Sequence, residues 1–509
     1  MLRFQPPVVP NESFINFGAA IAQHAAGQGD KTALIVDGRE VSWRDFGAMV
    51  AQVAGKLRAE GVGKGGFVAT LGENSLEHVV IYCATLAAGA CNVPLPVSAT
   101  PEALVRMVSD SGAAMLFASP GQMAVAEGLG APRLMDMSGL FDWASDATPA
   151  EPVDVSPDDL FDIIYSSGTT GLPKGILHDH RFRSRQLSRI TNFGLTGEAR
   201  MIISTPVYSN TTLFGMLPSI VLGATLVVMS KFNTVEFLKL SEAHKLTHAI
   251  LVPVQYMRLM NEPTFGDYDL TSYACKFSTS APLAAPLIAK VMERWPGNLV
   301  EVYGMTEGGI STALNCGAFP DKWDTVGRAG DGVDMRVIDD QGNELPRGSF
   351  GELVGRSPSM MPAYHNLPDK TQEILWTDPE GNHFIRSGDM GRIDEDGFIH
   401  LMDRKKDMII SGGFNIYAAD LEAVLRAHPD VADTAVIAVP SEAWGETPLG
   451  FVILKAGADT TAEAIRDWAN AQLGKTQRLS EVVLRDDLPR SDIGKILKRD
   501  LRAPYWPAS

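Results

Sequence analysis

The stretch YSSGTTGLPKG, from Tyr165 to Gly175, carries four Ser or Thr side chains and three glycines and ends in Pro-Lys-Gly. It follows an apolar run, FDII, that is typical of a buried strand. A glycine-rich loop presents N–H groups to an anion, and the hydroxyls and Lys174 would add donors and charge. It is not a Walker A loop, because Pro173 precedes the lysine and Gly175 follows it. The residues alone support a phosphate-binding loop and a flexible surface loop equally.

The composition is that of a globular protein with more than one unit. The chain has 509 residues, of which 45% are hydrophobic and 21% charged, and this length predicts two or three units. The net charge of −17 argues against a general nucleic-acid binder, which would be basic. It does not exclude an anionic ligand, because a local cationic site can act inside a negative protein.

The sequence predicts a cytoplasmic protein without a membrane span. No run of about 18 apolar residues is present, and neither end carries a signal peptide or a targeting address. The four cysteines have no metal-site spacing and suggest no disulfide framework, which fits a reducing compartment. They are Cys83, Cys91, Cys275 and Cys316.

Helical and strand-like patterns alternate over the first two-thirds of the chain, which predicts an α/β fold with parallel sheets. Residues 140–158, rich in Pro, Asp, Ser and Ala, are expected to form a surface connection, and the section DMRVIDDQGNELPRGSFGELVGRS is expected to be β-rich. Beyond DRKKD, the order helix, strand, strand, helix, strand, helix predicts a small α+β domain. We therefore predict an N-terminal domain at 1–405 and a C-terminal domain at 406–509.

Two further patterns have simple structural explanations. GVGKGG, residues 61–66, matches the dinucleotide fingerprint G-x-G-x-x-G, but it follows a helix and opens a strand, so a turn is predicted. His178 and His180 in HDHRF lack a third metal ligand, and structural roles are favoured over a metal site. Asp179 between them is expected to cap the helix that follows.

Three polar positions allow more than one interpretation. Thr306 and Glu307, in EVYGMTEGG, offer oxygen donors suited to Mg²⁺, although such a pair is usually an ordinary surface feature. Asp389 is expected in a Gly-flanked turn, where it would bind sugar hydroxyls or cap the turn. Lys495 is expected at the start of a cationic helix, where a solvated lysine is the simpler interpretation.

These patterns occur in an order that resembles the adenylate-forming superfamily, which includes acyl-CoA synthetases, luciferases and peptide-synthetase adenylation domains. The resemblance covers nearly the whole chain. In chain order, the motifs that carry it are GREVSWRDF, GVGKGGFVATLGENSLEHVVIYCATLAAGACNVPLP, YSSGTTGLPKG, STSAPL, VYGMTE, GELVGRSPSMMPAYH, RSGDMGRIDEDGFI, DRKKDMIISGGFNIYAADLE, WGETP and LPRSDIGKIL.

The resemblance implies a fold and a reaction. The fold would be a large N-terminal domain of parallel-sheet α/β layers with a β-rich subdomain, followed by a small, mobile α+β domain. A carboxylate would attack the α-phosphate of ATP with Mg²⁺ present, and pyrophosphate would leave. A thiol, usually that of CoA, would then displace AMP from the acyl-adenylate to give a thioester. Such chemistry depends on positioning and on charge stabilisation.

The resemblance also assigns the nucleotide site. The β- and γ-phosphates would contact the loop that carries Ser167, Thr169, Thr170 and Lys174. Thr306 would contact the α-phosphate and Glu307 would hold Mg²⁺. The adenine slot would be formed by Ser280, Ala281, Pro282, Glu301, Tyr303 and Gly304, with Glu301 near the adenine amino group. Asp389, helped by Arg404, would bind the ribose hydroxyls.

The C-terminal residues are assigned to the two half-reactions. Lys495 would bridge the substrate carboxylate and the α-phosphate during adenylation. The small domain would then rotate at the hinge Lys406, and Gly412 and Gly413 would enter beside the thiol tunnel near Trp444. This would be gated domain motion about a few residues.

The acid pocket departs from the family pattern. Most acyl-CoA synthetases have an aromatic residue and a histidine where this chain has Tyr208 and Ser209, so the gating role of that pair is in doubt. The expected lining mixes polar and apolar groups and leaves a fatty, an aryl or a short polar acid open. It comprises Val207, Tyr208, Ser209, Asn210, Thr211, Val254, Met257, Gly309 and Ser311.

Three functions follow from the resemblance. The first is an acid–CoA ligase acting on a small carboxylic acid, ATP and CoA, with no nucleic-acid partner. The second is an acyl-AMP ligase that passes its product to a carrier protein, and the third is a non-catalytic relative. WGETP and a complete SGGFNIY loop favour CoA, whereas the presence together of Lys495, Glu307, Asp389 and Arg404 argues against a non-catalytic protein. A homodimer is one of the oligomeric states left open.

Overall fold

The computed structural model describes residues 14–166, 173–404, 407–411, 414–442, 444–474, 477–491 and 494–506. The chain divides into a larger unit, Met1–Met335 with Gly355–Ile385, and a smaller unit, Arg336–Val354 with Arg386–Ser509. The smaller unit thus takes in two segments that precede residue 406. The domain boundary between 405 and 406 remains a prediction.

Strands and helices alternate along most of the chain, with short 3-10 turns between some of them. The strands are β1 (Thr32–Val36), β2 (Arg39–Ser42), β3 (Phe67–Leu71), β4 (Cys91–Leu95), β5 (Met115–Ala118), β6 (Leu134–Asp136), β7 (Leu160–Ser166), β8 (Lys174–Asp179), β9 (Arg200–Ile203), β10 (Thr225–Val228), β11 (His248–Leu251), β12 (Cys275–Ser278), β13 (Asn298–Gly304), β14 (Ser311–Asn315), β15 (Arg328–Ala329), β16 (Asp334–Ile338), β17 (Gly351–Arg356), β18 (Leu375–Thr377), β19 (His383–Ile393), β20 (Ile399–Arg404), β21 (Ile409–Ser411), β22 (Phe414–Ile416), β23 (Val431–Ser441), β24 (Gly445–Leu454) and β25 (Glu481–Leu484), those from β20 onward belonging to the smaller unit. The helices are α1 (Phe17–Gly27), α2 (Trp43–Ala59), α3 (Leu76–Ala87), α4 (Pro101–Ser111), α5 (Met123–Ala126), α6 (Leu140–Ala144), α7 (His180–Ile190), α8 (Asn210–Val221), α9 (Thr234–Ala243), α10 (Pro253–Met260), α11 (Ala285–Arg294), α12 (Pro368–Glu373), α13 (Ala418–Arg426), α14 (Ala462–Asn470) and α15 (Lys498–Arg502).

Two mainly parallel sheets organise the larger unit. The first has the strand order β15-β14-β13-β12-β11-β9-β10-β1-β2, and its strands β13, β12, β11, β9, β10 and β1 run parallel. The second has the order β6-β5-β3-β4-β7-β8, parallel except for the hairpin β7–β8. All residues of β4, β10 and β11 are buried, as expected for parallel strands covered on both faces.

One hydrophobic core contains side chains from both sheets and from the helices α1, α2, α3 and α8. Val68 of β3, Val80 of α3, Ile203 of β9 and Phe277 of β12 all belong to it. Helix α3 is buried almost all round, which explains why its sequence lacks a polar face. Its first turn is fixed by Ser75, whose hydroxyl accepts a hydrogen bond from His78 N.

The smaller unit contains a separate antiparallel sheet with the order β22-β21-β24-β23, and β25 pairs with β24 in parallel. Helices α13 and α14 cover it with a core that includes Leu421, Leu425 and Ile465. The predicted fold, α/β with a large N-terminal and a small C-terminal domain, is confirmed.

Two local expectations are wrong. The 140–158 segment is not only a surface connection, because Leu140–Ala144 forms α6 and packs into the core through Leu140 and Ala144. The last helix begins at Lys498 and not at Lys495. Hydrogen bonds outside the helical pattern prevail there, since Leu497 N donates to Pro489 O at 2.8 Å and Ser491 N donates to Lys495 O at 2.9 Å.

Other expectations agree with the structure. Residues 61–66 form the turn between α2 and β3. The four cysteines are buried and none is in a disulfide. Within the described ranges, every helix is too short or too polar to cross a bilayer.

Candidate active site

Four neighbouring parallel strands end at one edge of the first sheet. They are β9, β11, β12 and β13, and the segments that follow them carry the residues predicted for the acid and nucleotide sites. In open α/β sheets, ligands bind at the carboxyl ends of the strands. The topology therefore brings 207–210, Met257, 280–282 and 303–309 to one edge of the sheet.

Glu301 holds the segment predicted to form one wall of the adenine slot. Its Oε1 accepts a hydrogen bond of 2.8 Å from Leu283 N, and only 3% of the residue is exposed. Burial raises the pKa of Glu301 to about 8, and the bond from Leu283 opposes this only in part. Ser280 in the same segment has a positive φ of 79°, a strained conformation for a residue other than glycine that is frequent at functional sites.

A hydroxyl pair joins the predicted acid segment to the predicted adenine segment. Thr211 Oγ1 and Ser280 Oγ lie 2.5 Å apart. Ser209, where the family pattern has a histidine, caps α8 and accepts a hydrogen bond of 3.2 Å from Thr211 N. Its hydroxyl is thus committed to the backbone, and the residue is buried.

Asn74, which was not predicted as a site residue, connects the acid segment to the second sheet. It follows the carboxyl end of β3 and is 2% exposed. Its Nδ2 donates to Thr205 O at 2.9 Å and to Met229 O at 3.0 Å, and its Oδ1 accepts from Val207 N at 2.8 Å. Three loops that follow β3, β9 and β10 are thereby joined through one side chain.

Tyr364 brings together two residues predicted to act on the phosphates and the metal. Its hydroxyl donates a hydrogen bond of 2.8 Å to Glu307 Oε1, and Lys174 Nζ lies 5.2 Å from the centroid of its ring. The tyrosine is held by the backbone, because Ile176 of β8 forms an isolated bridge with it. Tyr364 was not predicted as a site residue, although it lies within the motif GELVGRSPSMMPAYH.

The turn that carries Thr306 and Glu307 is packed tightly. Gly308 and Gly309 both have positive φ, and a Cβ at Gly308 would lie 2.1 Å from Ser359 O. Met361 N donates to Glu307 O at 2.8 Å. The two glycines after the Thr-Glu pair are thus required by close backbone approach.

His178 contacts the turn that carries Thr306 and Glu307. Its Nε2 lies 2.7 Å from Thr306 O and its Nδ1 lies 2.6 Å from Asp162 Oδ1. Burial lowers the pKa of His178, an effect that the charge of Arg183 increases and that Asp162 opposes. A structural role for His178 was favoured by the sequence. Its contact is with the backbone of Thr306, a residue of the proposed site.

The rest of the HDHRF motif has structural partners. Asp179 caps α7 as predicted, with Phe182 N donating to its Oδ1 at 2.7 Å. His180 is buried and packs edge-on against Phe161 at 5.0 Å, and burial lowers its pKa to about 4. Among the described residues, no three His, Cys, Asp or Glu side chains converge as metal ligands.

Four of the predicted residues that the structure describes lie in the smaller unit. Asp389 was expected in a turn, but this prediction is wrong, because the residue lies in β19. A bulge follows it there, and Arg404 of β20 lies opposite it in register. Lys495 lies in the turn before α15, and its N–H donates to Ser491 Oγ at 3.2 Å. Trp444 is 61% exposed, an unusual exposure for so large an apolar side chain.

Some predicted residues lie outside the described part of the chain. They are Ser167, Thr169 and Thr170 of the loop, the hinge residue Lys406, and Gly412 and Gly413 of the thiol tunnel.

Comparisons with known proteins show what the chain is similar to. A profile of the AMP-binding enzyme family matches residues 21–365, and one of the AMP-binding enzyme C-terminal domain matches 420–495. The 4-coumarate–CoA ligase 5 of Oryza sativa subsp. japonica is 32% identical over 508 residues, covering 95% of this chain and 93% of that protein. The fatty acid–[acyl-carrier-protein] ligase ScoC of Streptomyces coeruleorubidus is 30% identical, with 95% of each chain covered. The structure of ATP-bound MatB from Rhodopseudomonas palustris matches with a TM-score of 0.85 at 30% identity, over 96% of this chain and 99% of that one.

Proposed function

The chain belongs to the AMP-binding enzyme family, and from this premise we propose that it is an ATP-dependent acid–CoA ligase. The observation that carries the proposal is a pair of contacts: a lysine and the glutamate of the Thr-Glu turn meet at one tyrosine, and the acid segment meets the predicted adenine segment. Lys174 and Glu307 meet at Tyr364, and Thr211 meets Ser280. Relatives named as CoA ligases for 4-coumarate and ferulate support the choice of acceptor.

In the first half-reaction, a carboxylate oxygen of the acid attacks the α-phosphorus of ATP. The bond from that phosphorus to the bridging oxygen breaks, and pyrophosphate leaves. Lys174 binds the departing phosphates, Thr306 contacts the α-phosphate, and Lys495 bridges the two anions that must meet. Fixed charges of this kind stabilise the transition state without reorganisation.

Glu307 would hold Mg²⁺, which neutralises phosphate charge when bound. The residue fits this role because a half-buried carboxylate supplies the oxygen ligand that Mg²⁺ prefers. Tyr364 orients the carboxylate through its Oε1. Outer hydrogen bonds of this kind commonly fix metal ligands.

The nucleoside would lie along the ends of β12 and β13. Ser280, Ala281 and Pro282 face Tyr303 across the adenine, with Gly304 beside it. Asp389 binds the ribose hydroxyls, with Arg404 opposite it in the sheet. The acid occupies the pocket that begins at Val207, where Tyr208, Ser209, Asn210, Met257 and Gly309 are the expected lining.

In the second half-reaction, the sulfur of CoA attacks the acyl carbon. The bond from that carbon to the AMP oxygen breaks, AMP leaves and the thiol proton is released. We propose that the small domain rotates at Lys406 between the half-reactions, which would exchange Lys495 for the Gly412–Gly413 loop. Exposed Trp444 then lies on the path of the thiol arm.

A second candidate function is transfer of the acyl group to a carrier protein. It is favoured by the similarity to the ScoC ligase, whose name specifies an acyl-carrier protein. The two candidates share the first half-reaction and differ only in the thiol.

Pyrophosphate release, measured with a panel of fatty, aryl and short polar acids with and without CoA, tests the proposal. We expect at least one acid to support release and CoA to increase turnover while a thioester accumulates. Glu307→Gln serves as the inactive control. If none of the acids supports pyrophosphate release, the ligase proposal is refuted. An acyl-adenylate that persists in saturating CoA would favour transfer to a carrier protein.

A further inference from the structure

A buried ionic cluster contacts the segment predicted to line the acid pocket. Asp162, His178 and Arg183 are each at most 1% exposed. Asp162 Oδ2 accepts hydrogen bonds from Arg183 Nε at 3.0 Å and Nη2 at 2.6 Å, and from the hydroxyl of Tyr82 at 2.8 Å. A guanidinium held by so many short, charge-assisted bonds has a fixed orientation.

The remaining nitrogen of the guanidinium, Nη1, contacts the acid segment. Arg183 Nη1 donates to Asn210 Oδ1 at 2.7 Å and to Gln186 Oε1 at 2.7 Å. Because an arginine nitrogen only donates, the atom of Asn210 that faces it must be the carbonyl oxygen. The contact therefore settles which way the Asn210 amide points, a choice that is usually left open between oxygen and nitrogen.

The other end of the Asn210 amide is a donor. Across the residues that the structure describes, its Nδ2 has no hydrogen-bond partner. Asn210 is half-buried at the first position of α8. It lies between Ser209, whose hydroxyl caps the helix, and Thr211, whose hydroxyl is paired with Ser280.

The cluster also ties this amide to the reaction centre. His178 contacts both Asp162 and the carbonyl of Thr306, so the same ionic group fixes the Thr306 turn and the Asn210 side chain. An NH₂ group that is held rigidly in a half-buried pocket favours a ligand with a matching acceptor. A pocket built to hydrogen-bond a substrate group discriminates strongly against an analogue without it.

We propose that Asn210, oriented by Arg183, donates a hydrogen bond to an oxygen on the acyl chain. The preferred acids thus carry a carbonyl, ether or hydroxyl oxygen besides the carboxylate. Asn210 is the selectivity residue, and Arg183 is a positioning residue that acts through it. This inference rests on the proposed ligase function and deepens it by naming the substrate class.

Matched pairs of acids test the inference. Adenylate formation is measured with 4-oxohexanoate and 5-oxohexanoate against hexanoate, and with 4-acetylbenzoate against 4-isopropylbenzoate. For wild type, we expect kcat/KM to favour the oxygen-bearing member of at least one pair by about tenfold or more. In Asn210→Ala, that ratio should fall to near one. In Asn210→Asp, which keeps an acceptor for Arg183 but presents no NH₂, it should fall below one.

Asn192→Asp, the same change at an exposed asparagine outside the site, is the control and should keep the wild-type ratio. The inference is overturned if wild type shows no preference in any pair, or if Asn210→Ala keeps the preference. A failure of every acid to release pyrophosphate would instead refute the ligase itself, so the two failures are distinguishable.

Arg183→Lys tests the positioning role. Lysine keeps a positive charge for Asp162 but lacks the planar fork that reaches Asn210. We expect the kcat/KM preference for the oxygen-bearing acid to be lost. Partial unfolding does not change a ratio of two acids, so a retained preference in this variant would refute the role of Arg183.

Discussion

Replacing Glu301 by glutamine should stabilise the larger unit at alkaline pH and leave it nearly unchanged at pH 5. Burial raises the pKa of Glu301 from its ordinary 4.5 to about 8. Between these values the folded chain binds more protons than the unfolded chain, so the free energy of unfolding falls as pH rises and levels off above pH 8. At about 1.36 kcal/mol per pH unit, the wild-type carboxyl loses about 5 kcal/mol across this window.

Glutamine removes this loss because it stays neutral and its oxygen can still accept from Leu283 N. The assay is thermal unfolding of wild type and Glu301→Gln at pH 5 and pH 9. All other groups titrate alike in the two proteins, so the change in their difference isolates Glu301. For a unit of this size, we expect the Tm of the variant to gain roughly 5 to 7 °C on wild type between the two pH values.

Glu293→Gln is the matched control, because Glu293 is exposed on α11, and it should show no such gain. A gain below about 1 °C in Glu301→Gln, smaller than 1 kcal/mol, would refute the reasoning that burial keeps this carboxyl protonated at neutral pH.

Three further outcomes follow from the site. Asn74→Ala removes three buried hydrogen bonds, so we expect the free energy of unfolding to fall by about 3 kcal/mol. In pyrophosphate-release kinetics, the KM should rise for the acid but not for ATP, and equal rises would contradict the role of Asn74 in the acid segment. Tyr364→Phe removes the hydrogen bond to Glu307 Oε1 and should raise the Mg²⁺ concentration for half-maximal rate by roughly tenfold or less. An unchanged Mg²⁺ titration would disprove this expectation. Lys495→Ala should abolish adenylate formation yet largely spare thioester formation from a supplied acyl-adenylate; equal loss of both, measured separately, would rule out the domain rotation.

Local patterns in the sequence predicted the α/β fold and most elements well. The strand before YSSGTTGLPKG and the helix α2 follow from periodicity and from caps such as Ser42, which accepts from Asp45 N. Predictions failed where hydrogen bonds outside the helical pattern decide the outcome. Lys495 looks like the start of a helix, but hydrogen bonds from Leu497 to Pro489 and from Ser491 to Lys495 hold it in a turn.

The site residues divide in the same way. Lys174 and Glu307 lie in motifs and were predicted by resemblance. Tyr364 was missed because its partner Glu307 lies 57 positions away, and no pattern within one segment indicates such a contact. Arg183 and Asn210 are separated by 27 positions, and only the position of α7 beside α8 brings them together. The sequence alone does not contain that proximity in any local signal.

Oxygen transfer from the acid to AMP tests the central claim most directly. An accepted acid, labelled with ¹⁸O in both carboxylate oxygens, is incubated with the wild-type enzyme, ATP, Mg²⁺ and CoA, and the AMP is analysed by mass spectrometry. If the carboxylate attacks the α-phosphorus and the thiol then breaks the acyl–oxygen bond, one ¹⁸O must appear in each AMP and one must remain in the thioester. AMP without label, or release of ADP in its place, would contradict the acyl-adenylate mechanism.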